Sequence, residues 1–314
     1  MPFEIASIGV PFRMQPGLAR LAPGAAPGLT PATPGSRHLR EKTAVLAAFP
    51  ELALAAVPAF DAGDALAAIA AASAGAFMLG GPGEAGAPRI GWSIARGRPE
   101  GDGEPAIGRA LEHLPPAQRV AALACLAFDE DLAIVDGSSG RVPWLAVALP
   151  SRWAPERKVG LSLLDIHAPV ADADSVRAAS ERLVALVSTG RAEDRFERFV
   201  WTVSPDPRLH QHPVHGLAGW DAVDDADDAD SVAARASLRH ERQTFLPVPG
   251  RRQAVFTIRV ESEPLERAVR SAGDAIRLHD AIASMSPAVL DYKGLAPARD
   301  RLLAWLARRA AAAS

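Results

Sequence analysis

The chain has 314 residues, 48% of them hydrophobic and 23% charged, which is enough for a sizeable buried core and too apolar for a disordered chain. Lys and Arg total 34 against 37 acidic residues, so a net charge of -3 gives no long-range pull on phosphate backbones and no nucleic-acid partner is expected. Cys125, the single cysteine, sits in the apolar run AALACLAF, which excludes a disulfide framework, a Cys-rich zinc site and iron–sulfur ligation.

The opening MPFEIASIGV has no basic segment followed by an apolar one, and no stretch reaches the apolar length of a bilayer span, so a soluble cytoplasmic protein is expected. Residues 15–36 are rich in Pro, Gly and Ala and predict an extended arm that packs poorly. HLREKTAVLAAFPELALAAV and DAGDALAAIAAAS predict covering helices punctuated by Pro50 and the segment from Pro58 to Gly63. Gly81-x-Gly83-x-x-Gly86 has the spacing of a dinucleotide fingerprint, but Pro82 and Pro88 suit a loop better than a helix start.

After a helix at PPAQRVAALACLAF the pattern changes. DLAIVD, VPWLAVAL, KVGLSLLDI, ERFVWTV and QAVFTIRV read as strands, with hairpins at Asp136-Gly137-Ser138-Ser139-Gly140 and Pro249-Gly250. ADADSVRAASERLVALVSTG is an amphipathic helix pattern closed by Gly190. Residues 221–230 hold six aspartates, a solvated loop lacking the glycine and glutamate of a calcium-binding loop. Two more helical patterns, PLERAVRSAGDAIRLHDAIASMS and ARDRLLAWLARRAAAA, end the chain. An antiparallel sheet with helices across it, an α+β protein, is the expected class.

Three constellations could carry chemistry. His167 closes the expected strand KVGLSLLDI before Pro169, either projecting into a cleft or bonded to a backbone carbonyl in the core. His210, His212 and His215 lie within six residues, a spacing that allows a zinc site and hence a metal-dependent hydrolase. On the strand RHERQTF, Glu241 and Gln243 share one face while His240, Arg242 and Thr244 share the other. Arginines on a covered strand need an anionic ligand or an internal carboxylate network.

RHERQTFLPVPGRRQAVFTIR resembles the R-x-E-R-Q-T and F-T-I-R segment of the heme-dependent oxidative N-demethylase-like family. The likeness extends to Pro11-Phe12-Arg13-Met14, Pro150-Ser151-Arg152-Trp153, Lys158-Val159-Gly160, Ile166-His167-Ala168-Pro169-Val170, Arg198-Phe199-Val200-Trp201 with His212-Pro213, and Tyr292-Lys293-Gly294-Leu295. These blocks keep the family's order. Phe199-Val200 stands where many relatives carry Ser-Asn, which removes two polar side chains from the expected pocket.

The resemblance implies a single domain over residues 1–314, with 1–40 as an arm and most motifs within 120–306. Its fold would be PAS-like, a curved antiparallel sheet flanked by helices that holds heme b. It implies a monooxygenase-type oxidative N-demethylation of a small amine by O2, with formaldehyde released. Neither iron–sulfur cysteines nor a flavin or nicotinamide fingerprint stands in the chain, so a separate flavin or ferredoxin-type reductase is the expected electron source. Self-association is left open. His167 is the expected iron ligand, with His212 as runner-up and as a catalytic candidate beside Glu241. Arg198, Arg242, Arg259 and Lys293 are the expected cofactor-binding cations. A heme sensor or ligand-binding protein without turnover is the alternative.

Overall fold

The structure is a computed structural model and describes all residues except 1–2, 15–16, 23–24, 26–27, 74–76, 83–87, 93–106, 108–110, 112, 168–180, 188, 221–227 and 313–314. Seven strands form one antiparallel sheet. In spatial order they are β1 (Ala19–Arg20), β7 (Phe196–Ser204), β8 (Ser237–Pro247), β9 (Gln253–Pro264), β5 (Asp131–Asp136), β6 (Arg141–Ala146) and β2 (Leu54–Ala56). A separate ribbon pairs β3 (Phe77–Pro82) with β4 (Pro88–Trp92). The helices are α1 (Arg37–Ala48), α2 (Pro50–Ala53), α3 (Gly63–Ala72), α4 (Pro116–Ala127), α5 (Leu163–His167), α6 (Ala229–Ala234), α7 (Leu265–Ala268), α8 (Ala272–Ala283), α9 (Pro287–Tyr292) and α10 (Arg299–Ala311). The protein is of the α+β class.

Two turn signals set the centre of the sheet. Asp136 accepts from the backbone of Ser138 at 3.1 Å, and Gly140 takes φ 67°, which closes the β5–β6 hairpin. Gly250 takes φ 72° between β8 and β9, whose register puts Glu241 opposite Val260 and Arg242 opposite Arg259. Side chains alternate across the sheet from that register. The front face carries Arg198, Val200 and Thr202 of β7 beside Gln243, Glu241 and Arg239 of β8.

On the front, Val135, Leu145, Phe196 and Phe245 pack against Leu163 of α5 and against Leu183 and Val187 of a helical stretch at 181–187. The back is split in two. One apolar cluster joins Leu132, Ile134, Trp144 and Leu246 to α1, α3 and α4 through Leu39, Leu46, Ile69 and Leu126. The other joins Trp201, Val203 and Leu238 to α8 and α10 through Leu278, Ile282, Leu302 and Trp305. Between Leu238 and Leu246, β8 shows the back His240, Arg242 and Thr244, a polar belt dividing the two. Each fully buried Leu or Ile contributes roughly 1.5–3 kcal/mol, so both clusters hold their helices firmly.

Lys42 of α1 is fully buried. It donates to the carbonyls of Cys125 and Phe128 at 3.0 Å and Glu130 at 2.6 Å, and sits 3.1 Å from Asp131. Asp131 also accepts from the N–H groups of Ala148 and Leu149 at 3.1 and 2.7 Å. One ion pair therefore ties α1, the end of α4, β5 and the chain after β6 together.

Three expectations are corrected. The segment KVGLSLLDI is a turn followed by α5, because Ser162 accepts from the backbone of Asp165 at 3.1 Å and bonds its carboxylate at 2.6 Å, starting a helix where alternation suggested a strand. LALAAV is in part an edge strand, β2, paired with Trp144 to Ala146. The N-terminal arm is woven into the fold rather than poorly packed. Leu29 and Ala32 are buried, Thr30 donates to Glu130 at 2.6 and 2.8 Å, and Gly28 lies so close to Thr244 that a Cβ there would collide with its hydroxyl. Gly83 and Gly86, the start of the amphipathic helix and residues 221–227 of the acidic run lie outside the described residues.

Candidate active site on the front face

Period two places Arg239 on the same face as Glu241 and Gln243, and the structure joins them in one network. Ser151 donates to Glu241 Oε1, and Gln243 Nε2 donates to Oε2 at 2.6 Å. Behind each neutral donor stands an arginine. Arg239 Nε donates to Ser151 Oγ at 2.9 Å, and Arg198 Nε donates to Gln243 Oε1 at 2.6 Å, which orients the amide. Both oxygens of Glu241 are thus held.

The two arginines differ in what they have left to give. Arg239 is 1% exposed and spends its remaining nitrogens on the carbonyls of Arg208, Leu209 and Pro150 at 2.9–3.3 Å. Burial draws its pKa down to about 10. Arg198 has no further hydrogen-bond partner among the described residues, so its terminal nitrogens can meet an anion. Burial lowers its pKa while the charge of Glu241 opposes that.

Lys293, just after α9, reaches the same edge of β7. Its ammonium donates to the carbonyl of Trp201 at 2.7 Å and lies 5.2 Å from the Phe12 ring and 5.6 Å from the Trp201 ring. Burial pulls it down to about 8, with Glu241 acting in the opposite direction. Tyr292 beside it is raised, first by burial and then by Glu241. Motif blocks at 11–14, 150–153, 198–201, 239–244 and 292–295 are far apart in sequence and meet here.

Other expected residues fall elsewhere. Arg242 and Arg259 stand on the back face, opposite Arg198 across the sheet, so one ligand on the front cannot reach all three. Arg242 pairs with Glu197 at 2.9 Å, and Arg259 pairs with Glu261 at 2.9 Å and Asp129 at 3.2 Å. The internal carboxylate network accounts for both. His167 ends α5, a helix that packs on the front face through Leu163 and Ile166.

The rings of His210, His212 and His215 do gather, with centroids 5.0–6.1 Å apart. Among the described residues no group of three His, Cys, Asp or Glu side chains is arranged to hold an ion. His212 Nδ1 accepts from Val214 at 3.2 Å and Nε2 faces Glu156 at 3.1 Å, so neither nitrogen is left for iron or zinc. The Nε2 atoms of His210 and His215, by contrast, are buried without a hydrogen-bond partner among the described residues.

A family model described as haem-dependent oxidative N-demethylase, alpha subunit-like, matches residues 108–303, more than half of the chain. The chain belongs to that family. Ser151, Arg198, Glu241, Gln243, Tyr292 and Lys293 all lie within the matched stretch, so the front-face network belongs to the part the family shares. The family is a haem-dependent, oxidative one, and the donor set fits such a cofactor. A flat apolar ring system with two carboxylates needs an apolar floor and a cationic rim. Arg198 with Lys293 supplies the second, whereas the Phe245–Phe256 pair, stacked at 4.6 Å, is covered by Leu163, Leu183 and Val187. Ser151, Gln243 and Arg239 escaped attention as site residues in the sequence, although the alternation that grouped Glu241 with Gln243 extends to Arg239. No helix among the described residues is long and apolar enough to cross a membrane.

Proposed function

We propose that this protein carries out oxidative N-demethylation of a small methylated amine, using b-type heme bound against the front face and electrons from a separate flavin or ferredoxin-type reductase. The observation that supports it most is Glu241, a carboxylate held on both oxygens by neutral donors beside the exposed, apolar Val200. A charge next to a methyl-sized apolar surface suits an N-methylammonium. The overall change consumes the N-methyl amine, one O2, two electrons and two protons, and yields the demethylated amine, one formaldehyde and one water.

Heme, when bound, supplies the activation of O2. The chain's own residues would do the rest: His167 would hold the iron, Arg198 and Lys293 would meet the propionates, and Glu241 would bind and orient the ammonium group of the amine. Ser151 and Gln243 keep that carboxylate from rotating away, and Glu241 can carry the proton of the bound ammonium.

Hemin titration should give a Soret band that is lost or shifted in His167→Ala. With NADPH, a reductase and a panel of N-methyl amines, the wild type should release formaldehyde. Glu241→Gln should keep the Soret band and lose about 10²-fold in kcat/KM, roughly 2.7 kcal/mol, as expected for removing one partner of a buried charge pair. A wild type that takes up no hemin sinks the proposal. A hemin-loaded protein that demethylates nothing favours the ligand-binding alternative.

A further inference from the structure

Beside the Glu241 network, at the edge of β7, lies a cavity of about 90 Å³ walled by Arg152, Thr202, Ser204, Gly219, Trp220 and Lys293, among others. That is room for about three waters, enough for a carboxylate group and far too little for a macrocycle. Two of the lining side chains are cationic and none is acidic. Thr202 Oγ1 is buried with no hydrogen-bond partner, and a buried hydroxyl in that state is costly unless something completes it. Lys293 uses one donor on the Trp201 carbonyl and has others to offer. Among the described residues, Arg152 makes a single side-chain bond, to Ala218 O at 3.3 Å. Its backbone adopts φ 65°, pinned by its N–H on the carbonyl of Gln211 at 2.9 Å. A bulky residue held in the left-handed region beside a cavity is the kind of outlier that accompanies a ligand site.

We infer that this cavity binds a carboxylate, with Arg152 and Lys293 supplying charge and Thr202 a hydroxyl donor. Acidic ligands are recognised in this way by paired cations and one neutral donor, whereas a cation would meet two like charges. The carboxylate has two sources that share this chemistry, a side arm of the heme itself or a free one-carbon or two-carbon acid. The inference rests on the cavity and stands whether or not the heme proposal does.

The test is 13C-formate binding to the full-length protein, followed by NMR line broadening at constant ionic strength, for wild type, Arg152→Met and Thr202→Val. Saturable binding to the wild type that weakens about tenfold in each variant is expected, as for losing a hydrogen bond to a charged group. Binding should also weaken above pH 8 as Lys293 loses its proton. Hemin titration of the same proteins separates the sources. Competition between hemin and formate, with hemin affinity lowered in both variants, assigns the cavity to a cofactor carboxylate. Formate that still binds the hemin-loaded protein, with hemin affinity unchanged in the variants, assigns it to a free acid. A protein that binds formate as expected and takes up no hemin keeps this inference while the heme proposal fails. Formate that binds none of the proteins, or all equally, together with hemin affinity unchanged in both variants, overturns it.

Discussion

Glu241 has two arginines nearby and bonds neither directly. A guanidinium bound face-on to the carboxylate would cancel its charge and fix its geometry. With Ser151 and Gln243 interposed, the carboxylate is oriented but its charge still reaches a ligand. Lys293 shows the opposite treatment, a cation kept in aromatic surroundings and drawn down to about 8. Its folded pKa lies below the unfolded value, so between pH 8 and the ordinary lysine range the unfolded chain binds more protons and stability rises with pH. Relative to Lys293→Met, the wild type should therefore gain stability as pH climbs from 8 towards 10.5. Urea midpoints at pH 7 and pH 9.5 read this directly, and a difference that is flat or reversed refutes it. Lys42 is structural: Lys42→Ala leaves Asp131 buried without its partner, with an expected loss of about 3–5 kcal/mol in urea unfolding. A loss under about 1 kcal/mol would mean that water takes the place of the ammonium.

At the level of elements, the arm is the most testable surprise. Gly28 is there because Thr244 leaves no room for a Cβ, and Thr30 bonds Glu130 and accepts from Arg259 at 2.8 Å. Gly28→Val should cost about 1–3 kcal/mol in chemical denaturation, by forcing the arm off the back of β8. An unchanged midpoint would mean that the arm detaches without cost. The two hairpins were legible because Asp136-Gly137 and Pro249-Gly250 dictate backbone angles locally. The short helix α5 was obscured by the apolar alternation of KVGLSLLDI, although Ser162-x-x-Asp165 is a helix-start signature written in the same residues. The arm's packing was not legible, since Gly, Pro and Ala contact through backbone shape that composition does not report. The face of each arginine was legible from period two. Which of them would find a carboxylate was not, because Glu197 and Asp129 come from other strands and loops.

Across the whole molecule, the candidate site draws on segments near residues 12, 151, 200, 241 and 293, so it exists only when the entire sheet is assembled. Family membership covers four of these five segments and leaves Phe12 outside the matched stretch. The back of the sheet adds something different. Its two apolar clusters are separated by His240, Arg242, Thr244 and Arg259, a belt whose arginines are held by the carboxylates of Glu197, Glu261 and Asp129 rather than by excluding water. Such a line is a seam. Native-state hydrogen exchange should show the amides of α8 and α10 opening with a different free energy from those of α1 and α4, and added salt should narrow the gap by loosening the belt. Uniform protection across both groups would contradict this. Lys293 is anchored to the α8–α10 side, whereas Ser151 follows the strand β6 that packs on α4. A breathing motion along the seam would then alter the spacing between the two rims of the pocket without unfolding either half, giving a small ligand a route in and out of the site.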